Sequence, residues 1–412
     1  MNVVATYLIE SAFDLHEVAQ VMAGEQSTGT FVKLPGETES LHKHHAAKII
    51  SVKQISEVDN PSLPYGLSSN NGYRQAEVII EYPITNFGYS LPNLITTVAG
   101  NLFELRELTG IRLIDFTVPT VFQEKYPAGR FGISGTRHLA GVHERPLFGT
   151  IIKPSVGLPK DEYRKMIREF AEAGIDFIKD DELTGNPLYF SFQDRVEIAM
   201  EEINRVAMKT GKKTMYAFNI TDEIDQMRRN HDWVVQHEGT CVMVSINSVG
   251  YGAVRHLANY TELPIHGHRN QWGAMTRHPM LGMSFTAYQK ICRLAGVDQL
   301  HTNGLDSKFA EPNVQVVKSI NDCLAPIFAD DAVMPVLSSA QWAGSAHPTY
   351  RAVGSTDLLH LAGGGIIAHP NGIRAGVDSF VESWEAAVAG IPFEQLVKES
   401  PVVRAAYEKF KK

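Results

Sequence analysis

The stretch FGTIIKPSVGLPKDEYRKMIREFAEAGIDFIKDDE, residues 148–182, decides how the chain is read. FGTIIKP (148–154) is a short apolar run closed by turn residues, as expected of a strand covered on both faces. PKDEYRKMIREFAEAG (159–174) follows with a helical pattern and ends on Gly174, where a C-terminal cap belongs. IDFIKDD (175–181) is a second strand. Strand, helix and strand in that order make a βαβ unit.

Six further strand candidates continue the alternation: KTMYAFNIT (213–221), CVMVSIN (241–247), LPIHGHR (263–269), QLHTNGL (299–305), MPVLSSA (334–340) and LLHLAGGG (358–365). Helical patterns such as 191–211 and 284–296 lie between them, and Gly211, Gly239 and Gly296 fall where helices should stop. Eight βα units over about 250 residues predict a TIM (β/α)8 barrel across 146–412; a doubly wound sheet rarely needs eight. Residues 1–122 read differently. Strand runs at 3–9, 29–34, 46–55, 76–84 and 111–119, with helices at 15–25 and 91–105, predict a smaller α+β domain of ferredoxin-like, split βαβ type. Residues 59–75 are dense in turn formers and read as an exposed hairpin loop, while 123–145 lack periodicity and read as a linker.

Composition bounds the function. With 44% hydrophobic and 20% charged residues the 412-residue chain is an ordinary globular protein, not a disordered or collagenous one. A net charge of −8 disfavours nucleic acid and anionic membrane surfaces as partners. Three scattered cysteines, Cys241, Cys292 and Cys323, suggest a reducing compartment. No apolar run approaches the ~20 residues of a membrane span, and the start MNVVATYLIESAFDLHE lacks a basic leader. The expectation is a cytoplasmic enzyme.

In a TIM barrel the chemistry sits at the C-terminal strand ends. Those ends carry Lys153, then Lys179-Asp180-Asp181-Glu182, Asn219 and Thr221, His266, His268 and Arg269, His301 and Asn303, Ser338-Ser339, and Gly363-Gly364-Gly365. Any one of these alone reads better as a surface lysine or a satisfied histidine; their coincidence points to a site. In FIKDDE (177–182), Lys179 and Asp181 share a strand face, and Glu182 can turn inward at the strand's end. Two carboxylates suit Mg²⁺, but an ammonium would repel it. The conflict disappears if Lys179 is neutral and carries CO₂ as an anionic carbamate. KDDE alone could equally be a solvated turn.

The motifs EQSTGTF (25–31), AGNLFEL (99–105), GTIIKPSVGL (149–158), DFIKDDE (176–182), IHGHRN (265–270), HTNGLDSK (301–308), PVLSSA (335–340) and AGGGIIAHP (362–370) resemble, in order, those of the RuBisCO large-chain superfamily. The resemblance implies Mg²⁺ held by carbamylated Lys179, Asp181 and Glu182. It implies proton handling by Lys153, an active-site histidine at His268, and a mobile-loop lysine at Lys308. Arg269, His301 and Ser338 would bind one anion, and Thr30, Gly363 and Gly364 the other. Glu25 and Asn101 would complete the site of a partner subunit, making the active unit a homodimer. Departures at Ser155, Phe31, Ser307 and Ala340, where carboxylases carry Lys, Trp, Gly and Gly, together with a shorter chain, look like a RuBisCO-like (form IV) protein that does not fix CO₂.

The family's shared step is an enediolate stabilised by the metal. Retention of Lys308 and both anion sites favours a lyase that decarboxylates a phosphorylated keto sugar acid. The string HRNQWGAMTRHP (268–279) looks most like members acting on such acids, for example 3-oxo-isoapionate 4-phosphate from apiose breakdown. Arg277 and His278 in it read either as extra anion contacts or as a solvated turn. The rivals are an enolase or isomerase of methionine salvage (5-methylthioribulose 1-phosphate or a related diketone) and a non-catalytic regulatory protein. HKHH (42–45) reads as a polar turn before a strand, and Met215 as core.

Overall fold

The computed structural model describes the chain except residues 1, 30–33, 69–71, 128 and 412. The run 29–34, read as a strand and including Thr30 and Phe31, therefore lies almost wholly outside the described residues. The chain forms two compact units, 1–127 with 271–294, and 128–270 with 295–412.

In the first unit, β1 (Asn2–Ser11), α1 (Leu15–Glu25), α2 (Glu39–His45), β2 (Lys48–Val58), β3 (Tyr73–Pro83), α3 (Leu91–Ala99) and β4 (Gly110–Thr117) follow one another. The antiparallel order β4-β1-β3-β2 is that of the ferredoxin-like split βαβ. β1 is placed by its period of two, with Val3, Ala5, Tyr7 and Ile9 fully buried and alternate residues partly exposed. α1 starts where the Asp14 carboxylate accepts from the backbone N–H of His16 and Glu17. HKHH lies in helix α2 rather than a turn, because Thr38 caps it by accepting from Leu41 N–H. Its imidazoles find separate partners: His42 meets Thr28 Oγ1, His44 meets Ser40 O and His45 meets Asn86 Oδ1.

Sequence reading missed one strand of this sheet. β10 (Leu281–Met283) runs parallel to β4 at the sheet edge. Arg112 holds the approach to it, donating to the carbonyls of Thr276, His278 and Leu281 and to Thr276 Oγ1. Three residues are too few to show a period.

Residues 123–145 are also more ordered than their lack of pattern suggested. They include part of α4 (Val121–Lys125) and all of α5 (Gly132–Ala140), which ends on Gly141 at φ 65°. In the second unit, α5 delivers Ala140 and Val142 to the barrel core.

That barrel closes in the order β11-β12-β13-β5-β6-β7-β8-β9, every pair parallel. The strands are β5 (Leu147–Ile151), β6 (Phe177–Lys179), β7 (Met215–Asn219), β8 (Cys241–Ser245), β9 (Ile265–His268), β11 (Gln299–His301), β12 (Met334–Leu337) and β13 (Leu359–Leu361). Seven lie inside the predicted runs, and β5 begins one residue earlier than its run, at Leu147. Helices α6 (Lys160–Glu172) and α7 (Phe192–Thr210) follow β5 and β6 and pack on each other, α6 burying Tyr163, Ile167, Phe170 and Ala171. Phe177, Met215, Met243, Met334, Val336 and Leu361 fill the barrel, so the methionines are core.

At the strand N-termini, buried Asp176 accepts from Arg145 (2.6 and 3.0 Å), Lys212 (2.5 Å) and the backbone N–H of Phe148 (2.8 Å). Burial pushes its pKa up, but the Arg145 hydrogen bonds and the Lys212 and Arg145 charges outweigh it, and the net shift is downward. A lowered folded pKa gives stability present above the usual carboxylate range and lost as pH falls through the folded value. Asp176→Ala should cost about 3 kcal/mol in urea unfolding at neutral pH and flatten the acid limb of the stability profile. A loss under about 0.5 kcal/mol would show that the cluster contributes nothing.

Candidate active site

Alternation along β6 sorts its acidic end. Lys179 and Asp181 face one way, and Asp180 faces the other, into the barrel wall. There Asp180 accepts from Tyr216 OH (2.7 Å), Arg195 Nε (3.1 Å) and Asn219 N–H (2.8 Å). Tyr163 OH bonds in turn to Tyr216 OH at 2.8 Å. Asp180 is thus an anchor that fixes the strand end, and Asn219 adds to it by donating to the carbonyls of Asp181 and Glu182.

On the open face, Lys153 Nζ lies 2.5 Å from Asp181 Oδ2 and 2.8 Å from Ser155 Oγ. Asp181 Oδ1 accepts from Leu183 N–H at 3.1 Å. Burial raises the Asp181 pKa, but the Lys153 and Leu183 hydrogen bonds and the lysine charges hold it below the usual carboxylate range. Lys179 is 1% exposed, and its Nζ donates to Asp180 O at 2.7 Å. Burial drives its pKa down against the pull of Glu182, Asp181 and Asp180. Glu182 Oε2 lies 3.6 Å from His268 Nε2.

His268 packs edge-on to His301, ring centroids 4.5 Å apart. Behind them runs a directed hydrogen-bond chain. Thr136 OH donates to Gly132 O and so accepts from Gln299 Nε2 at 3.3 Å. Gln299 Oε1 then accepts from His266 Nδ1 (2.7 Å), and His266 Nε2 pairs with His301 Nε2 (2.9 Å). Burial and the Lys179 charge push the His266 pKa down to about 3, so the ring is neutral. Its Nε2 must accept from His301 Nε2–H, which leaves His301 Nδ1 to accept from Ser338 Oγ at 3.2 Å. Arg269 Nη2 pairs with Glu311 Oε2 at 2.8 Å, and Asn303 Nδ2 donates to the same oxygen.

A cleft of about 530 Å³ opens between Leu305, Asp306, Ala340, Gln341, Gly363 and Gly364. The three glycines after β13 differ. A Cβ at Gly365 would strike Gln341 O at 2.3 Å, while Gly364 faces open space and Gly363 meets nothing closer than 3.9 Å. Gly365 is needed for packing; the other two leave backbone open to an anion.

The structure therefore brings together Lys153, Lys179, Asp181, Glu182, His268, His301 and Ser338. Lys308 is exposed on the loop after β11, its ammonium 5.3 Å from the Phe309 ring. Glu25 and Asn101 lie together in the first unit, Asn101 Nδ2 3.5 Å from Glu25 Oε1. Arg277 and His278 are exposed in that unit too, with His278 giving its carbonyl to Arg112. Asn219 was read among the strand-end residues, whereas Gln299, Glu311 and Gln341 were not singled out. Position at or just after a strand end could have found Gln299 and Gln341; Glu311 lies ten residues past β11, and no sequence signal marks it.

The donor set fits a hard divalent cation on one condition. Among the described residues no three His, Cys, Asp or Glu side chains converge on one point. Asp181 and Glu182 could supply two oxygen ligands, and a third anionic oxygen would have to come from Lys179. A buried amine with a lowered pKa is the form that reacts with CO₂. The Lys153 ammonium on Asp181 shows that the position already favours a cation.

The profile of the ribulose bisphosphate carboxylase large chain, catalytic domain, matches residues 132–410, and that of its N-terminal domain matches residues 1–122. The chain belongs to the RuBisCO large-chain family. It is 47% identical over 407 residues, 98% of each chain, to the 3-oxo-isoapionate-4-phosphate transcarboxylase/hydrolase of Xanthobacter autotrophicus. It is 41% identical over 413 residues, 100% of this chain and 99% of the other, to the 3-oxo-isoapionate-4-phosphate decarboxylase of Rhizobium rhizogenes. A crystal structure of a rubisco-like protein from Burkholderia fungorum superposes with a TM-score of 0.93 at 42% identity, covering 99% and 100% of the two chains. This RuBisCO-like chain is an enzyme of that family.

Burial and the neighbouring histidines hold the His301 pKa well below 6.5. In ¹⁵N spectra between about pH 5 and 8, His301 should stay protonated at Nε2 and bare at Nδ1, and His266→Leu should erase that tautomer preference. Titration of His301 near its ordinary value would contradict the chain.

Proposed function

We propose that this chain decarboxylates a phosphorylated 3-keto sugar acid of the 3-oxo-isoapionate 4-phosphate type. The observation that carries the reading is 41% identity over the full length to a relative named for that reaction, on a chain whose strand ends gather a lysine–carboxylate cluster beside an open glycine turn. Mg²⁺, held by Asp181, Glu182 and a carbamate on Lys179, would stabilise negative charge on the substrate's ketone and hydroxyl oxygens.

The remaining chemistry belongs to side chains. Gly363 and Gly364 take one anionic group, and Arg269, His301 and Ser338 take the other. Lys308 sits over the carboxylate and turns it out of the carbonyl plane. The C–C bond breaks, CO₂ leaves, and the electron pair moves through carbon to the ketone oxygen as an enediolate. Lys153 Nζ, which donates to Asp181 Oδ2 and Ser155 Oγ, delivers a proton to the carbon that lost CO₂. The product is a ketose phosphate one carbon shorter. His268 stands between Glu182 and His301 and orients the hydroxyl beside that carbon. Glu25 and Asn101 reach the site of a second copy, so the working unit is a homodimer acting in the cytoplasm.

The 47% relative favours a second outcome, in which the carboxylate is passed on and a bond is hydrolysed. The fate of a ¹³C-labelled carboxylate separates the two: label in bicarbonate for decarboxylation, label in an organic acid for transfer. Lys308→Met should cut CO₂ release by about a hundredfold or more, since orientation of this kind lowers barriers by several kcal/mol. Exchange of the product's α-proton with D₂O, which needs Lys153, should survive. Wild-type protein that releases no CO₂ but interconverts methylthio-ketose phosphates would replace this reading with the isomerase one.

A further inference from the structure

The two hydrogens of one buried amide hold two separate loops of the barrel mouth. Gln341 is 3% exposed and follows the turn at the end of β12. Its Nε2 donates to Leu305 O at 2.9 Å and to Ser339 O at 2.8 Å. Leu305 lies at the root of the loop that carries Lys308. Ser339 and Ala340 form the turn after Ser338, both at positive φ (75° and 55°), where a side chain is strained and must be held by its surroundings. The loop root lies directly on the amide: a Cβ at Gly304 would sit 2.2 Å from Gln341 Cδ. Gly304 N–H ties the same two loops by donating to Ser338 O at 2.8 Å.

The sense of the Gln341 amide is imposed from outside the barrel. On the helix Gly372–Val388, Trp384 has an indole N–H that can only donate, and it meets His360 Nδ1 at 3.1 Å. Burial pushes the His360 pKa down to about 3, so the ring is neutral and its one proton is on Nε2. That N–H faces Gln341 Oε1 at 3.0 Å. With Oε1 taken as acceptor, Nε2 must face the two loop carbonyls. Each link has one permitted direction. The catalytic scheme above uses none of these three side chains.

We propose that Gln341 is a positioning residue, oriented by Trp384 and His360, that clips the root of the Lys308 loop to the strained turn beside the Gly363–Gly364 anion cleft. What those loops bind rests on the proposed function; the clip itself does not. Leu305, Ala340, Gln341, Gly363 and Gly364 line one cleft, so loosening the clip moves walls that would touch the substrate's anionic group. A methionine at 341 matches the length but has no donor. A carboxylate would present only oxygens to two carbonyls. Asparagine is one methylene short.

The test is Gln341→Met, with Gln341→Glu as a second variant and hydrogen exchange read by mass spectrometry. Exchange in segments 303–308 and 338–341 should rise about tenfold, the effect expected of losing one to two hydrogen bonds, and stay unchanged over β5–β8. KM for the phosphorylated keto acid should rise about tenfold, with kcat reduced less. Unchanged exchange in those two segments would overturn the proposal. So would a rise spread evenly over the barrel, or an unchanged KM alongside faster loop exchange, since a merely structural glutamine would give either. If wild-type protein releases no CO₂, the functional reading fails, and the exchange pattern still decides this one. Trp384→Phe frees the imidazole to change tautomer and should give the same loop pattern to a smaller degree.

Discussion

One buried amine organises the barrel mouth. Lys179 ends β6 almost wholly out of water with three carboxylates following it in sequence. Holding an ammonium there is costly, and the neighbouring negative charge only partly offsets burial. The fold sends the three carboxylates different ways. Asp180 turns into the wall and is satisfied by Arg195, Tyr216 and the Asn219 backbone. Asp181 takes Lys153. Glu182 faces His268. Only Lys179 is left with a single backbone carbonyl as its described hydrogen-bond partner, which makes it the group open to reaction.

The surroundings of this amine are rigid by construction. The Asp180 anchor fixes the strand end from one side, and the chain Thr136–Gln299–His266–His301–Ser338 fixes the histidines from the barrel floor to the mouth. Burial holds the His266 and His301 pKa values well below the usual imidazole range, so the donor pattern that chain offers to a ligand does not drift near neutral pH. The departures from carboxylase sequences become intelligible here. Ser155 in place of a second lysine gives Lys153 a hydroxyl acceptor where a like charge would have stood. Ala340 in place of glycine sits at positive φ on a turn that Gln341 braces.

Much of the fold and site was legible in the sequence because it rests on local signals. Eight parallel strands buried on both faces leave apolar runs, and strand ends leave polar residues after them; both patterns survive without tertiary information. What escaped is what packing decides. β10 has three residues and no period, and exists because β4 offers an open edge and Arg112 gathers the carbonyls before it. α5 is built of GISGTRHLA, with little apolar stripe, yet it is anchored through Arg137 to Asp357 and to the carbonyls of Val142, Arg145 and Thr356. Gln341 and His360 look ordinary in sequence, since only a structure shows that an outer tryptophan fixes their direction.

Under the proposed function Lys179, its pKa lowered by burial, takes up CO₂ to complete an oxygen site with Asp181 and Glu182. ¹³C NMR of the protein equilibrated with ¹³C-bicarbonate and Mg²⁺ tests it directly. The account predicts one carbamate resonance per chain, strengthened by Mg²⁺ and absent from Lys179→Ala. A spectrum without a Lys179-dependent carbamate signal, from protein that still releases CO₂ from the keto acid at full rate, would contradict it.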